Sequence, residues 1–322
     1  MVAIDVIKSS NAAIKAKLPP GLVALFVGAT SGIGEHTLRT FYQTAPSPRV
    51  YFVGRSQASA DRIISDLRPL NPDGHLEFIQ ADASLIKNVD EVSRKLLEKE
   101  KELNVLVMTQ GYLTSEGRVE TAEGLDAKLS LNYFSRARFI QNLLPSLSAA
   151  ARSSPFGARV LSVLSAGNGE GNLNFDDFEL KKTFSLRNAG LMATTSNSAL
   201  AKYLAQEHPN IAFIHAFPGG VDTNILEAAH FPSFVKTTAR LLMPLARPWM
   251  ITQEESGQRH FFLTTNEKFK TGGWLTDSMN EESASAKKYV EKGMCDEKVG
   301  EKVWKRTLEV FERLEKERGL KG

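Results

Sequence analysis

The chain has 322 residues, 42% hydrophobic and 24% charged, with 40 basic against 37 acidic side chains and a net charge of +3. That apolar share supports a large core and excludes a mainly disordered chain; the near balance of charge excludes nucleic acid as the main partner. One cysteine and six scattered histidines exclude a disulfide framework, and no metal site is expected.

Val2 to Ala16 has helical spacing and ends before Pro19, Pro20 and Gly21, so a leading helix is expected over residues 1–21. Strands and helices then alternate. Apolar runs at Leu22–Val27, Arg49–Val53, His75–Ile79, Asn104–Met108, Ala158–Leu164 and Ile211–Ala216 read as six strands. Between them, Gly34–Tyr42, the stripe Ala60, Ile63, Ile64 and Leu67, the stripe Val89, Val92, Leu96 and Leu97, Leu125 to Pro145, and Ala193–Glu207 read as helices. Strands buried on both faces and separated by helices predict one doubly wound parallel sheet of Rossmann type, covered by helices on both faces. At roughly 150 residues per domain the length suggests two domains. The element order predicts a single domain over 1–322, with an enlarged lid and tail at its C-terminal end. The lid is placed at 224–270, and an amphipathic helix with Val303, Thr307, Val310, Phe311 and Leu314 on one stripe at 296–318.

Gly28, Ser31, Gly32, Ile33 and Gly34 follow the first strand and open the first sheet-covering helix. Glycines there permit a tight turn and close approach of backbone to a pyrophosphate, which faces a helix N-terminus. The second strand ends at Gly54, Arg55 and Ser56, where an acidic residue would hold a ribose 2′-hydroxyl. A guanidinium at Arg55 favours a 2′-phosphate instead, so NADP(H) is the expected cofactor.

In order and spacing from about Val23 to Thr223, these residues resemble the short-chain dehydrogenase/reductase superfamily. The resemblance implies that Asp82 contacts the adenine edge and that Gly111 lines the cofactor. It implies that Asn132 is the helix-borne active-site asparagine and that Ser165, after the fifth strand, is the catalytic serine. It implies that Pro218, Gly219 and Thr223 place the nicotinamide. Asp82 to Leu85, Thr121 to Gly124, and Ser135 with Arg136 further resemble a fungal group found among secondary-metabolite enzymes.

Two departures stand out. Met108, Thr109, Gln110 and Gly111 stand where the family has Asn-Asn-Ala-Gly. The family's Tyr-x3-Lys pair is absent; its places fall on Gly190 and Thr194, or on Ala193 and Asn197. Loss of a general acid costs about 10²–10⁴-fold in rate. Tyr112, in the loop after the fourth strand, is the expected substitute donor. Tyr133 and Tyr203 are expected to be packed, and His215 is read as a core histidine. Three functions stay open: an NADP(H)-dependent oxidoreductase with an altered proton relay, reducing a C=C bond or an iminium; a non-redox cyclase, isomerase or dehydratase; and a catalytically dead NADP-binding protein.

Phe231, Phe234, Leu241, Leu242, Met243 and Trp249 predict a small apolar substrate under the lid. Residues 231–251 also suit a membrane surface, although a lid is favoured. No run of 18 apolar residues exists to span a membrane. Asp5 and Lys8 interrupt any leader-like core, and a cytoplasmic location fits the low cysteine count. A homo-oligomer is compatible with the sequence.

Overall fold

The computed structural model describes residues 2–223, 231, 233, 237, 238, 243 and 247–319. Among these, seven strands form one parallel sheet in the order β3-β2-β1-β4-β5-β6-β7. They are β1 (Val23–Val27), β2 (Arg49–Gly54), β3 (His75–Gln80), β4 (Val105–Met108), β5 (Ala158–Val163), β6 (Ile211–Ala216) and β7 (Gly272–Thr276). The order reverses between β1 and β4. The loops leaving their carboxyl ends diverge there and open a crevice, the usual ligand position in such sheets.

The helices are α1 (Ile4–Ile14), α2 (Gly32–Thr44), α3 (Gln57–Leu67), α4 (Ile86–Lys99), α5 (Ala127–Leu129), α6 (Ser135–Ser153), α7 (Leu186–Glu207), α8 (Gln253–Thr265), α9 (Ala284–Glu291) and α10 (Glu297–Gly319). Side chains alternate across the sheet with the period of two that a strand imposes. Val23, Leu25 and Val27 enter a core with α4, α6, α7 and α10. Ala24 and Phe26 enter the opposite core with Leu38 and Phe41 of α2 and Phe261 of α8.

Three expectations change. The helix expected to stop at Pro145 runs on to Ser153, because that proline is on the exposed side, where water can take the carbonyl freed by its missing N–H. The seventh strand was not expected. It begins Gly272-Gly273, which breaks the apolar pattern, yet a Cβ on Gly273 would stand 2.8 Å from the Ala201 carbonyl, so glycine lets α7 cross the strand. Finally, the expected lid at 224–270 extends too far. Residues 253–265 are α8, whose Phe261, Phe262 and Leu263 are buried against the body. Phe234, Leu241 and Leu242 lie outside the described residues, and Trp249 is 85% exposed rather than packed.

Candidate active site

The crevice is a cleft of ≈ 350 Å³ at the carboxyl end of β1. Gly28 has φ +80°, and a Cβ there would stand 2.6 Å from the Gln110 amide nitrogen. A Cβ on Gly34 would stand 2.6 Å from the Gly28 carbonyl oxygen. These glycines therefore let α2 begin directly under the turn. Ser31 precedes α2 with extended backbone, and its side chain makes no capping bond. The first amides of α2 thus remain open to an anion.

Ser31, Gly32, Ile33, Arg55, Asp82, Gly111, Tyr112 and Thr223 all line this cleft. Arg55 is exposed, and no ion pair among the described residues occupies its guanidinium. Ser56 is instead the N-cap of α3, accepting from the Ser59 amide at 3.2 Å. Asp82 Oδ1 accepts from the Ser84 amide at 2.9 Å, which orients the carboxylate. Gly219 (φ +76°) packs against Ser278, where its Cβ would stand 2.8 Å from the side chain. Neither Gly219 nor Pro218 lines the cleft.

Asn132 sits in a π-helical segment, Ser130–Phe134, between α5 and α6. Single π turns of this kind recur at functional sites because they re-aim one side chain. The Asn132 amide clasps the backbone after Gly111: Oδ1 accepts from Tyr112 N at 3.0 Å and Nδ2 donates to Tyr112 O at 3.3 Å. Its carbonyl accepts from Asn197 Nδ2 at 2.9 Å. Asn197 Nδ2 also donates to Ala193 O at 2.8 Å, while Oδ1 accepts from Ser162 Oγ at 3.0 Å.

Ser165 Oγ lies 2.6 Å from Thr194 Oγ1. Two hydroxyls hold two protons. One bridges the pair, and the other is left to donate to a third atom. Thr194 and Asn197 were not singled out as site residues from sequence. The available signal was the run Thr194 to Ser198, five hydroxyl or amide residues inside a helix, where such side chains compete with the backbone. All five are buried.

Under the ends of β4 and β5 lies Arg136, also buried. It donates to Met108 O (3.2 Å), Val163 O (3.0 Å), Ser162 Oγ (2.7 Å) and Gln110 O. No carboxylate pairs with it among the described residues, and burial draws its guanidinium down to about 9. His215 of β6 is buried too. Burial, then the nearby Arg136 charge, lower it to about 3.

Residues 22–178 match the profile of the family described as short chain dehydrogenase. Over 263 residues the chain is 44% identical to oxidoreductase AN1596 of Emericella nidulans, covering 81% of this chain and 76% of that relative. It is 30% identical over 287 residues to the short-chain dehydrogenase/reductase SAT2 of Stachybotrys chartarum, covering 83% of this chain and 78% of the relative. The chain belongs to the short-chain dehydrogenase/reductase family. A solved short-chain dehydrogenase from Sphingobium yanoikuyae, in complex with NADPH, shares the fold with a TM-score of 0.55 at 19% identity, over 75% of this chain and 84% of that one.

As a short-chain dehydrogenase/reductase the chain is unusual at the two places where the Tyr-x3-Lys pair would stand. At Gly190 a side chain would meet open space. Ala193 carries no polar group, Thr194 is bonded to Ser165, and the Asn197 amide is occupied at both ends. The other tyrosines are distant in role. Tyr133 is buried with its hydroxyl on Thr307 Oγ1 at 2.6 Å. Tyr203 packs against the core, and its neighbour Lys202 donates to Gly273 O at 2.8 Å. Tyr112 lines the cleft with Lys128 6.0 Å from its ring centroid and close enough to Arg55 to feel its charge. Burial and the Glu116 and Asp126 carboxylates push its phenol up, away from what a donor needs near neutral pH. The hydrogen bonds of Ser165 and Thr194 do not include Tyr112.

Proposed function

We propose that this family member is an NADP(H)-dependent oxidoreductase acting on a small apolar substrate, in fungal secondary metabolism, with Ser165 and Thr194 facing the reacting atoms. The observation that carries the cofactor reading is the cleft itself. It joins a glycine loop, at which a Cβ would collide with backbone, to a cationic Arg55 with no acidic residue beside it. The loop amides and the α2 N-terminus suit a pyrophosphate, Asp82 an adenine edge, and Arg55 a 2′-phosphate. Gly111, Tyr112 and Thr223 line the same cleft, with Thr223 packed over Gly32, and Pro218 and Gly219 stand in the segment that the family resemblance assigns to the nicotinamide. When bound, NADPH supplies a hydride.

This chain's own contribution is polar and modest. The free proton of the Ser165–Thr194 pair donates to charge that develops on the substrate. No phenol or ammonium is hydrogen-bonded to that pair among the described residues. A substrate that needs little help from an acid therefore fits best, namely a conjugated C=C bond or an iminium. The apolar substrate is supported by Leu113, Val119 and Leu186, which are exposed on segments that follow the carboxyl ends of β4 and β5. One observation favours a non-redox reading: Asn197 is saturated by Ser162, Ala193 and Asn132, so it cannot anchor a ribose as a lysine does.

Fluorescence titration tests the cofactor. NADPH is expected to bind more tightly than NADH, and Arg55→Asp to reverse the order; equal affinities would remove the cofactor claim. Ser165→Ala is expected to lower turnover at least about tenfold, the scale of a lost oxyanion donor. Turnover by purified protein with neither NADP+ nor NADPH present would establish the non-redox reading instead.

A further inference from the structure

Behind Ser165 runs a line of buried polar groups that hydride chemistry does not use. His215 belongs to β6, Ser198 to α7, and Glu170 to the connection after β5. All three are buried. The Ser165 N–H donates to His215 Nε2 at 3.3 Å. A ring nitrogen that accepts carries no proton, so the neutral ring must bear its proton on Nδ1. That nitrogen lies 2.8 Å from Ser198 Oγ. The Ser198 hydroxyl in turn donates to Glu170 Oε1 at 2.9 Å, and Gly167 N–H donates to the same oxygen at 2.7 Å. Every donor then has an acceptor, and the direction runs one way from Ser165 to Glu170.

We infer that Glu170, Ser198 and His215 are positioning residues that lock the backbone of Ser165, and so aim its hydroxyl, in a site without the tyrosine that would otherwise hold it. The inference rests on the proposed role of Ser165, not on the cofactor. The line ends on a backbone amide, which does not pass protons on, so it positions and does not relay. The charged or titratable groups around the ring agree with a neutral His215: Arg136, reaching in from α6, disfavours an imidazolium, and Glu170 is separated from the ring by Ser198. Cys295 lies near Glu170 and is pushed up to about 12, first by burial and then by that carboxylate, so it stays a neutral thiol.

The test uses the full chain labelled with ¹⁵N-histidine. The His215 ring is expected to carry a single proton, on Nδ1, between about pH 5 and about pH 9. Ser198→Ala should weaken that tautomer preference, because Nδ1–H loses its acceptor while the Ser165 N–H still needs one at Nε2. It should also speed hydrogen exchange at the Ser165 amide by about tenfold, the scale of one buried hydrogen bond. NADPH titration of Ser198→Ala should match wild type within about twofold, since the glycine loop is untouched. A wild-type ring protonated on Nε2 would overturn the inference, as would unchanged Ser165 exchange in a variant that still binds NADPH. If Ser198→Ala does not fold, the wild-type tautomer decides alone. Failure of wild type to bind NADPH would count against the cofactor and leave this result standing.

Discussion

A buried cation without a counter-charge is costly unless its donors are satisfied. Arg136 meets that condition at its two terminal nitrogens, with three carbonyls and one hydroxyl at the ends of β4 and β5, while its Nε has no partner. Arg136→Met should leave those acceptors unpaired and lower stability by about 3 kcal/mol, read as a shift in the urea midpoint. A shift near zero would mean that water replaces the guanidinium. Thr194 makes a separate prediction. Thr194→Val keeps the shape but removes the partner of Ser165, so turnover should fall about tenfold, whereas Thr194→Ser should keep most of it. At this scale Gly28, Gly34, Arg55 and Asp82 stand out in the sequence as candidates because loop chemistry is local. Thr194 and Asn197 do not, because their partners lie 29 and 65 residues away.

At the scale of elements, close approach decides what periodicity does not show. Where α8 crosses α2, a Cβ on Gly257 would stand 2.6 Å from the His36 carbonyl oxygen. Gly257→Ala should therefore destabilise by about 2 kcal/mol through overpacking, despite alanine's better helix propensity. Thermal unfolding should show a drop of several degrees; a rise would mean that the two helices separate freely. The six expected strands were readable from continuous apolar runs. α8 and β7 were not. α8 is buried on several faces, including Ser256, Arg259 and His260, so it shows no clean stripe. β7 opens with two glycines, of which Gly273 makes room for α7.

For the whole molecule, two cores lie on either side of one sheet. α10 belongs to the first through Val303, Val310, Phe311 and Leu314, and α8 to the second. Two fully enclosed histidines tie this packing to pH. Burial lowers His215 to about 3 and His260 to about 4, against 6.5 as the ordinary value. The unfolded chain therefore binds more protons below pH 6.5. Stability held above that value should be lost as pH falls toward 4, by about 1.4 kcal/mol per histidine per pH unit. Urea midpoints at pH 7 and pH 5 check this, and a double His215→Asn, His260→Asn variant that still folds should show a flatter dependence.

Fold class, the glycine turn after β1 and the cationic end of β2 follow from residues adjacent in the chain, because turns and strand burial are short-range properties. The absence of Tyr-x3-Lys was equally visible in the linear sequence. Which groups surround its place was decided only by tertiary structure. α7 meets the π segment at Asn132, β6 meets Ser165 through His215, and α6 drives Arg136 under two strand ends. Each of these is a hydrogen bond between side chains or backbone far apart in sequence, and only the packed sheet brings them within 3.3 Å.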